Sequence, residues 1–402
     1  MFEKKNILER TRYFDQIQPF INKQLIKVLT GQRRVGKSYL LFQIINWIKK
    51  QDKKANIIYI NKEDLAFDFL KTYLDLNDFV LSKAKNNQMN YVFIDEIQDI
   101  EHFEKALRSF QLKDNFDIYC TGSNANMLSG ELATFLSGRY IEINIFSLSF
   151  LEFIKFHQLE NSEKSLEKYL HFGGLPYLIH LPLDEKIVFE YIKSVYTTIA
   201  YRDIIERHQI RDVRFLEQLI LFLANNTGSL FTSKSISDFL KSQKINKAPN
   251  QVQTYLQYLT DAFIIQRVER YDIVGKRIFE TGEKYFFENL GIRNALWGYR
   301  KEDEGKILEN VVYNHLRYKG FDVKVGYIDA LEIDFIAEKS GEKKYFQVAL
   351  SVENEKTRER EFGNLIKIKD NYPKTLITKN GFQGNTFQGI PNISLYEFLN
   401  EF

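Results

Sequence analysis

The segment Gly31–Ser38 constrains the fold of this chain more than any other feature of its sequence. It has the letters GQRRVGKS and fits the pattern G-x-x-x-x-G-K-[ST] without a mismatch. An apolar, β-branched run, Leu25–Thr30, precedes it, and an apolar helical pattern, Tyr39–Lys50, follows it. Glycines allow such a loop to turn several backbone N–H groups toward one point, and the N-terminus of the following helix faces the same point. The strand–loop–helix order therefore predicts a phosphate-binding loop.

Within this loop, individual side chains have expected tasks in binding a nucleoside triphosphate. Lys37, a predicted catalytic residue, would reach the β- and γ-phosphates, and the hydroxyl of Ser38 would hold Mg²⁺. Arg33 and Arg34 are open to two interpretations: contact with the nucleotide or a neighbouring subunit, or a solvated position. The residues predicted to bind the cofactor ATP are Gly31, Arg34, Val35, Gly36, Lys37, Ser38 and Tyr39.

A second buried strand, Tyr91–Asp95, ends in two adjacent carboxylates, those of Asp95 and Glu96. Ligands of open α/β sheets bind at the carboxyl ends of the strands, so both side chains are expected near the phosphate loop. Asp95 is predicted to hold Mg²⁺ through water, and Glu96 is predicted to orient and deprotonate the attacking water. The alternative is an ordinary acidic pair that caps a helix.

A third group of polar residues follows the apolar run Phe116–Thr121. A polar side chain at this point would sense the γ-phosphate or hold the lytic water, and Asn124 is the predicted catalytic residue, with Ser123 as a second candidate. Glycine, serine and asparagine also suit a plain turn at the end of a strand, which is the alternative.

Arg139 precedes a further apolar run, Tyr140–Ile145. An arginine here would stabilise the charge of a transition state, either within its own subunit or across a subunit interface. A surface arginine with a salt bridge is the remaining interpretation.

Five strand-like runs, the four given above and Ile57–Asn61, alternate with longer helical patterns over the first 150 residues. Such alternation predicts the α/β class, a parallel sheet flanked by helices, and places a P-loop ATPase core over 1–147. Residues 148–210 have helical patterns that break at Phe172–Pro176, and they are predicted to form a helical lid or linker.

Residues 211–290 are predicted to form a winged-helix-like segment, because three helical patterns are followed by two strand-like stretches, Phe263–Arg270 and Ile278–Phe279, joined through Gly275–Arg277. The third helix of this motif enters the DNA major groove, and here it carries glutamines opposite its apolar face. DNA is therefore a candidate partner of this segment, and a lid or protein-binding module is the alternative. The three patterns are Phe215–Leu223, Ser235–Leu240 and Asn250–Leu259.

Residues 300–402 have the layout of restriction-endonuclease-like metal nucleases, in which an acid on a helix precedes an Asp and then an acid-x-Lys on successive strands. Glu309, Asp334 and Gln347 fill the first three places, and Ala349 stands where the lysine is expected. Glutamine is a weaker ligand for Mg²⁺ than a carboxylate. We therefore expect a degenerate α/β domain that binds nucleic acid or a partner and does not cleave.

Composition excludes several other classes of protein. With 56 Lys and Arg against 53 Asp and Glu, the net charge of +3 argues against a uniformly basic protein that coats nucleic acid. A single cysteine leaves no disulfide framework and no cysteine-rich zinc site. The most apolar stretch, Phe215–Ala224, is about half the length needed to span a bilayer. We therefore expect a cytoplasmic protein with no membrane partner.

Taken together, the motifs of the first half resemble the prokaryotic AAA-type ATPases that carry a C-terminal domain of unknown function. The resemblance implies that ATP and Mg²⁺ are bound and that ATP is hydrolysed, with Lys37, Ser38, Asp95 and Glu96 in the tasks given above. The motifs that carry it are Gly31–Ser38, Ile94–Glu96, Thr121–Asn124, Ser137–Tyr140, Phe146–Phe153 and Phe172–Pro176.

Three hypotheses of function follow from the sequence. The first is an ATPase whose nucleotide cycle moves the helical and C-terminal segments, with DNA as a candidate partner and a homo-oligomer as a candidate assembly. The second is a slow, ATP-gated switch that binds DNA or a protein and has no nuclease activity. The third is a nuclease, which the missing lysine disfavours.

Overall fold

A computed structural model describes residues 7–125, 135–136, 138–275, 282–329, 331–380 and 386–402. These residues form two compact units. The first contains residues up to Phe146 together with Asp261–Phe263, and the second contains Ser147–Thr260 and Ile264–Phe402. The boundaries predicted between 148–210, 211–290 and 300–402 all lie inside the second unit and stay predictions.

The first unit is built on five parallel strands in the order β2-β3-β4-β1-β5. The sequence predicted all five strands to within one residue at each end, which confirms the α/β class. Helices cover the sheet, so its central strands are buried along their whole length and appear in the sequence as continuous apolar runs. The elements are α1 (Thr11–Ile17), β1 (Ile26–Thr30), α2 (Lys37–Gln51), β2 (Asn56–Asn61), α3 (Tyr73–Lys83), β3 (Asn90–Asp95), α4 (Phe103–Gln111), β4 (Phe116–Gly122) and β5 (Tyr140–Asn144), with 3₁₀ turns at Gln18–Phe20, Leu65–Phe67 and Ile97–Asp99.

The strand order decides which polar residues meet. Strand β4 lies between β1 and β3, with Leu29 opposite Thr121 and Ile94 opposite Cys120. All three strands run in the same direction, so their carboxyl ends lie at one edge of the sheet. The phosphate loop after β1, the acidic pair at the end of β3 and the polar residues after β4 are thereby brought to a single edge.

The second unit contains one sheet of nine strands in the order β13-β14-β12-β11-β10-β9-β7-β8-β6. Over the described residues, no helix has the length and apolarity that crossing a bilayer requires. The elements are α5 (Phe150–His157), α6 (Glu163–Phe172), α7 (Glu185–Thr198), α8 (Val213–Asn225), β6 (Leu230–Phe231), α9 (Ser233–Ser242), α10 (Pro249–Asp261), β7 (Ile265–Asp272), β8 (Glu283–Phe287), α11 (Leu290–Trp297), α12 (Glu304–Tyr318), β9 (Asp322–Ile328), β10 (Leu331–Lys339), β11 (Glu342–Ala349), α13 (Glu355–Ile366), β12 (Lys374–Thr378), β13 (Thr386–Phe387), β14 (Ile390–Ser394) and α14 (Leu395–Glu401), with 3₁₀ turns at Pro176–His180 and Lys301–Asp303 and a π-helix at Ile199–Glu206.

The three helices predicted in the middle of the chain are confirmed as α8, α9 and α10. Strand β7 pairs antiparallel with β8, and β8 pairs antiparallel with β6. The predicted hairpin strand Ile278–Phe279 and the predicted connection at Lys276 and Arg277 lie outside the described residues. The described antiparallel partner of β7 is β8.

Strand β7 also pairs in parallel with β9, where Arg270 lies opposite Val325. Through this pairing, the strands of the predicted winged-helix-like segment and those of the predicted nuclease-like segment form one continuous sheet. This pairing could not be predicted from local sequence patterns, because it joins strands about 50 residues apart.

Candidate functional site

The loop after β1 has the backbone that a phosphate-binding loop needs. Gly31 and Gly36 have φ angles of 142° and 98°, and Arg34 lies in the left-handed region at 69°. A Cβ atom on Gly31 would come within 2.1 Å of the carbonyl oxygen of Ile145, so only glycine fits there. Helix α2 begins at Lys37 without a side-chain cap on its first N–H groups. These N–H groups are therefore available to an anion at the loop.

The ammonium group of Lys37 lies inside this loop. It donates hydrogen bonds to the carbonyl oxygens of Gly31 at 2.9 Å and Gln32 at 3.1 Å. It also lies 3.7 Å from a carboxylate oxygen of Glu96. Lys37 and Glu96 are 59 positions apart in the sequence, and the sheet brings them into ionic contact as predicted from the strand ends.

Asp95 is buried beside Ser38. The Ser38 side chain hydrogen-bonds to the Asp95 carboxylate, and the hydroxyl groups of Thr121 and Tyr59 donate to it at 2.5 Å and 3.1 Å. Burial raises the pKa of Asp95, and the hydrogen bonds from Ser38 and Thr121 oppose part of that shift. The hydroxyl of Ser38 and the carboxylate of Asp95 thus form a pair of hard oxygen ligands next to the phosphate loop, which suits Mg²⁺.

Glu96 has a left-handed backbone, with φ at 58°, which turns its side chain back toward the loop. Its carboxylate accepts hydrogen bonds from Ser123 at 3.0 Å and Gln98 at 2.6 Å. Burial alone would raise the pKa of Glu96, but the nearby cations of Lys37 and Arg33 outweigh burial and lower the pKa to about 2. Glu96 is therefore a carboxylate at any physiological pH.

The polar residues after β4 contact the acidic pair directly. Thr121 bridges the two acids, since its hydroxyl donates to Asp95 and accepts from the backbone N–H of Glu96 at 2.9 Å. Ser123 holds the Glu96 carboxylate, and Asn124 is buried one residue further along. Of the two sensor candidates, Ser123 is thus the one shown beside Glu96, and the role of Asn124 stays a prediction.

Arg139 does not lie near the phosphate loop of its own chain. It immediately precedes β5, whose first residue, Tyr140, lies opposite Ile26 at the start of β1. The loop begins four residues later, after Thr30, so about 13 Å of strand separates them. The hypothesis that Arg139 acts within its own subunit is therefore wrong, because parallel strands put its backbone and the loop at opposite edges of the sheet. Its side chain is exposed, which leaves two interpretations: action across a subunit interface, or a surface arginine.

The other predicted nucleotide contacts differ in their accessibility. Val35 is fully buried, whereas Arg34 and Tyr39 are exposed. Arg33 is mostly buried and forms an ion pair with Glu63 at 3.0 Å. The sequence did not indicate the contacts made by Tyr59, Glu63 and Gln98, since each depends on which strands are neighbours in the sheet.

A second cluster of charged residues lies in the part of the other unit that the sequence predicts to be nuclease-like. The structure brings the predicted residues Glu309, Asp334 and Gln347 together, with the backbone N–H of Asp334 donating to the side-chain oxygen of Gln347 at 3.3 Å. It also adds a residue that the layout did not contain, Lys284 of β8, whose ammonium group contacts Glu309 at 3.1 Å and Asp334 at 3.5 Å.

Comparison with known proteins agrees with this architecture. Residues 23–154 match the model of a family described as an AAA domain, and residues 163–303 match a family described as a domain of unknown function (DUF8612). A Walker-type ATPase of Pyrococcus abyssi has a similar structure at a TM-score of 0.49 and 17% identity, over 74% of this chain and 96% of that one. At this score the likeness adds nothing to what the sheet order shows.

Two relatives match most of the length of this chain. An uncharacterized protein of Haemophilus influenzae is 36% identical over 401 residues, which covers 98% of this chain and 99% of that protein. An uncharacterized protein of Methanocaldococcus jannaschii is 33% identical over 360 residues, covering 84% of this chain and 77% of that protein. The chain belongs to the family of these relatives, and within it residues 23–154 match an AAA domain and residues 163–303 match a domain of unknown function.

Proposed function

We propose that the chain binds ATP with Mg²⁺ and hydrolyses it in the first unit. The observation that carries the proposal is the meeting of Lys37, Ser38, Asp95 and Glu96 at one edge of the sheet, with Lys37 and Glu96 3.7 Å apart. A glycine turn that binds nothing would not require a buried lysine, a buried carboxylate pair and their polar supports in the same place.

The residues at this edge of the sheet fit the phosphates of ATP and a Mg²⁺ ion. The loop backbone, the first N–H groups of α2 and the ammonium of Lys37 would hold the phosphates, and Ser38 and Asp95 would hold Mg²⁺. Bound Mg²⁺ supplies charge neutralisation of the phosphate oxygens. Thr121 and Tyr59 hold the Asp95 carboxylate in place, so this carboxylate would need little reorganisation when Mg²⁺ binds.

Glu96 would act as the base for the attacking water. With a pKa of about 2 it is a weak base, because Lys37 and Arg33 stabilise its charge. When Lys37 turns to the phosphates, part of this stabilisation is lost and the proton affinity of Glu96 rises. Ser123 and Gln98 would keep the carboxylate oriented meanwhile.

Replacing Lys37 with alanine tests the proposal. We expect Mg²⁺-dependent ATP turnover to fall by about 100-fold or more, because a positive charge aimed at the transferred phosphoryl group is removed. Phosphate release by the full-length chain, with and without EDTA, measures it. Lys50→Ala, an exposed lysine near the end of the same helix, is the matched control and should keep its turnover. Equal turnover in Lys37→Ala and the unaltered chain would refute the proposal.

We extend the proposal to a homo-oligomer in which Arg139 serves a neighbouring subunit. Arg139 lies at the N-terminal ends of the strands, whereas the loop lies at their C-terminal ends. Because its side chain is exposed, it is available to the nucleotide site of another chain. An arginine supplied across an interface stabilises transition-state charge in other nucleotide hydrolases.

A second candidate function is DNA binding through the segment 211–290. The order of α8, β6, α9, α10, β7 and β8, with β8 pairing to both β6 and β7, supports a winged-helix-like arrangement. Apart from Pro249, the exposed side chains of α10 are neutral and polar. Such side chains can form hydrogen bonds with base edges, and they carry no negative charge that would repel phosphate. The residues concerned are Asn250, Gln251, Gln253, Thr254 and Gln257.

The salt dependence of DNA affinity distinguishes this function from a lid or protein-binding module. If the segment binds duplex DNA, Lys241→Ala, which removes an exposed lysine in the last turn of α9, should reduce the slope of log affinity against log salt by about 1. Fluorescence anisotropy with a labelled duplex measures the slope, and Lys186→Ala on α7 is the control. An ATP-gated switch would show DNA affinity that changes with bound ATP even when hydrolysis is blocked. If the chain shows no salt-sensitive binding to duplex DNA, the DNA-binding function is ruled out.

A further inference from the structure

Lys284 is a buried lysine surrounded by carboxylates. It is the second residue of β8 and its side chain is only 3% exposed. Its ammonium group lies 2.7 Å from Glu332, 3.1 Å from Glu309 and 3.5 Å from Asp334. A lysine this deeply buried is expected to be neutral unless partners hold its charge.

The three carboxylates come from two elements and are held in place. Glu309 lies on α12, and Glu332 and Asp334 lie on β10. Asp334 accepts a hydrogen bond from the backbone N–H of Val348 at 2.8 Å. The adjacent Gln347 donates to Glu361 at 2.9 Å, which extends the polar network to α13.

The charges of this cluster favour a cation at its centre. Burial alone would lower the pKa of Lys284, but Glu309, Asp334 and Glu332 outweigh burial and raise it above the ordinary value. Burial also raises the pKa values of Glu309 and Asp334, and the lysine opposes both shifts. If the ammonium group were removed, the three carboxylates would stay buried or half-buried, and no other cation among the described residues would lie as close to all three.

The ammonium group of Lys284 is hydrogen-bonded at the centre of the cluster. Its contacts of 2.7 Å with Glu332 and 3.1 Å with Glu309 are hydrogen-bond distances, and Asp334 at 3.5 Å completes the set of ion pairs. Within the part of the chain that the structure describes, no group of three His, Cys, Asp or Glu side chains has the spacing of a metal site.

We propose that the ammonium group of Lys284 is the resident cation of this carboxylate cluster and occupies the place that a divalent metal ion would take. The carboxylates of the nuclease-like layout are then stabilised by the positive charge of a lysine rather than by a metal ion. Two consequences follow. The fold of this unit does not depend on a divalent cation, and Mg²⁺ does not enter the cluster while Lys284 is present.

The variant Lys284→Met tests the proposal in the full-length chain, since methionine keeps most of the volume and removes the charge. We expect the melting temperature of the variant to fall by about 10 °C, because a buried pair loses one partner, and we expect added Mn²⁺ to reverse part of that fall. The unaltered chain, without nucleotide, should melt at the same temperature in EDTA and in Mn²⁺. Adding Asp334→Asn to Lys284→Met should abolish the response to Mn²⁺, which separates this cluster from the phosphate loop.

Several results would overturn the proposal. They are Mn²⁺ binding at the cluster of the unaltered chain, a melting temperature of Lys284→Met that equals that of the unaltered chain, or Mg²⁺-dependent DNA cleavage that Asp334→Asn abolishes. If Lys284→Met does not fold, the test is made with the triple variant that adds Glu309→Gln and Asp334→Asn to it, and folding of the triple variant is measured. Recovery of folding supports the counter-charge role, and failure to recover rejects it. None of these readouts involves ATP, so they are independent of the proposed ATPase activity.

Discussion

Glu96→Gln is expected to lower Mg²⁺-dependent ATP turnover by roughly 10² to 10⁴-fold while ATP still binds. The amide keeps the size of the side chain and its contacts with Ser123 and Gln98, so the loop and Lys37 stay in place. What is lost is the ability to take a proton from water. The substitution therefore separates binding from chemistry, which Lys37→Ala does not.

Turnover is measured as phosphate release, and binding is measured with a fluorescent ATP analogue by equilibrium titration. Glu101→Gln is the matched control, since Glu101 is an exposed acid five residues further along the chain, and it should keep its turnover. Unchanged turnover in Glu96→Gln would mean that another group accepts the proton. A parallel loss of binding would mean that the carboxylate is needed to hold Lys37 in the loop.

Arg139→Ala is expected to lower turnover by about 10³-fold if the arginine serves a neighbouring subunit. Each Arg139→Ala chain keeps an intact loop, so the missing charge can be supplied by any chain that has Arg139. Mixing it with Lys37→Ala chains, which have no competent loop but keep Arg139, should therefore restore part of the turnover. Neither variant is expected to be active alone.

The mixing experiment is read as turnover against the ratio of the two variants at constant total protein. Arg108→Ala, which removes an exposed arginine in the last turn of α4, is the control and should behave like the unaltered chain. Turnover equal to that of the unaltered chain in Arg139→Ala would leave Arg139 as a surface residue. Loss of turnover that no mixture restores would point to a role in folding or assembly instead of catalysis.

The sheet of the first unit could be predicted almost entirely from the sequence. Its three central strands are buried along their whole length, so each is a short apolar run with polar residues at its end. The same rule located Lys37, Asp95 and Glu96, since ligands bind where parallel strands end. Local pattern was sufficient because each residue's task depends on its position within its own strand and loop.

Contacts between strands were not predictable in this way. The supports from Thr121 and Ser123 depend on β4 lying between β1 and β3, and the support from Tyr59 depends on β2 lying beside β3; both are properties of the sheet order. Likewise, the sequence allowed Arg139 to act in its own subunit or in another, and only the parallel pairing of β1 with β5 put it at the edge opposite the loop.

Lys284 shows the same limit most clearly. The sequence placed Glu309, Asp334 and Gln347 in a nuclease-like layout and found Ala349 where a lysine was expected. It gave no reason to pair these residues with a lysine from a strand 25 or more positions earlier. The sequence by itself determined the phosphate loop, its acidic partners and the strands that carry them, because those follow from local periodicity and strand ends. The tertiary structure alone decided which charges meet, because β-sheet pairing joins residues that are far apart in the chain and leaves no trace in the local pattern.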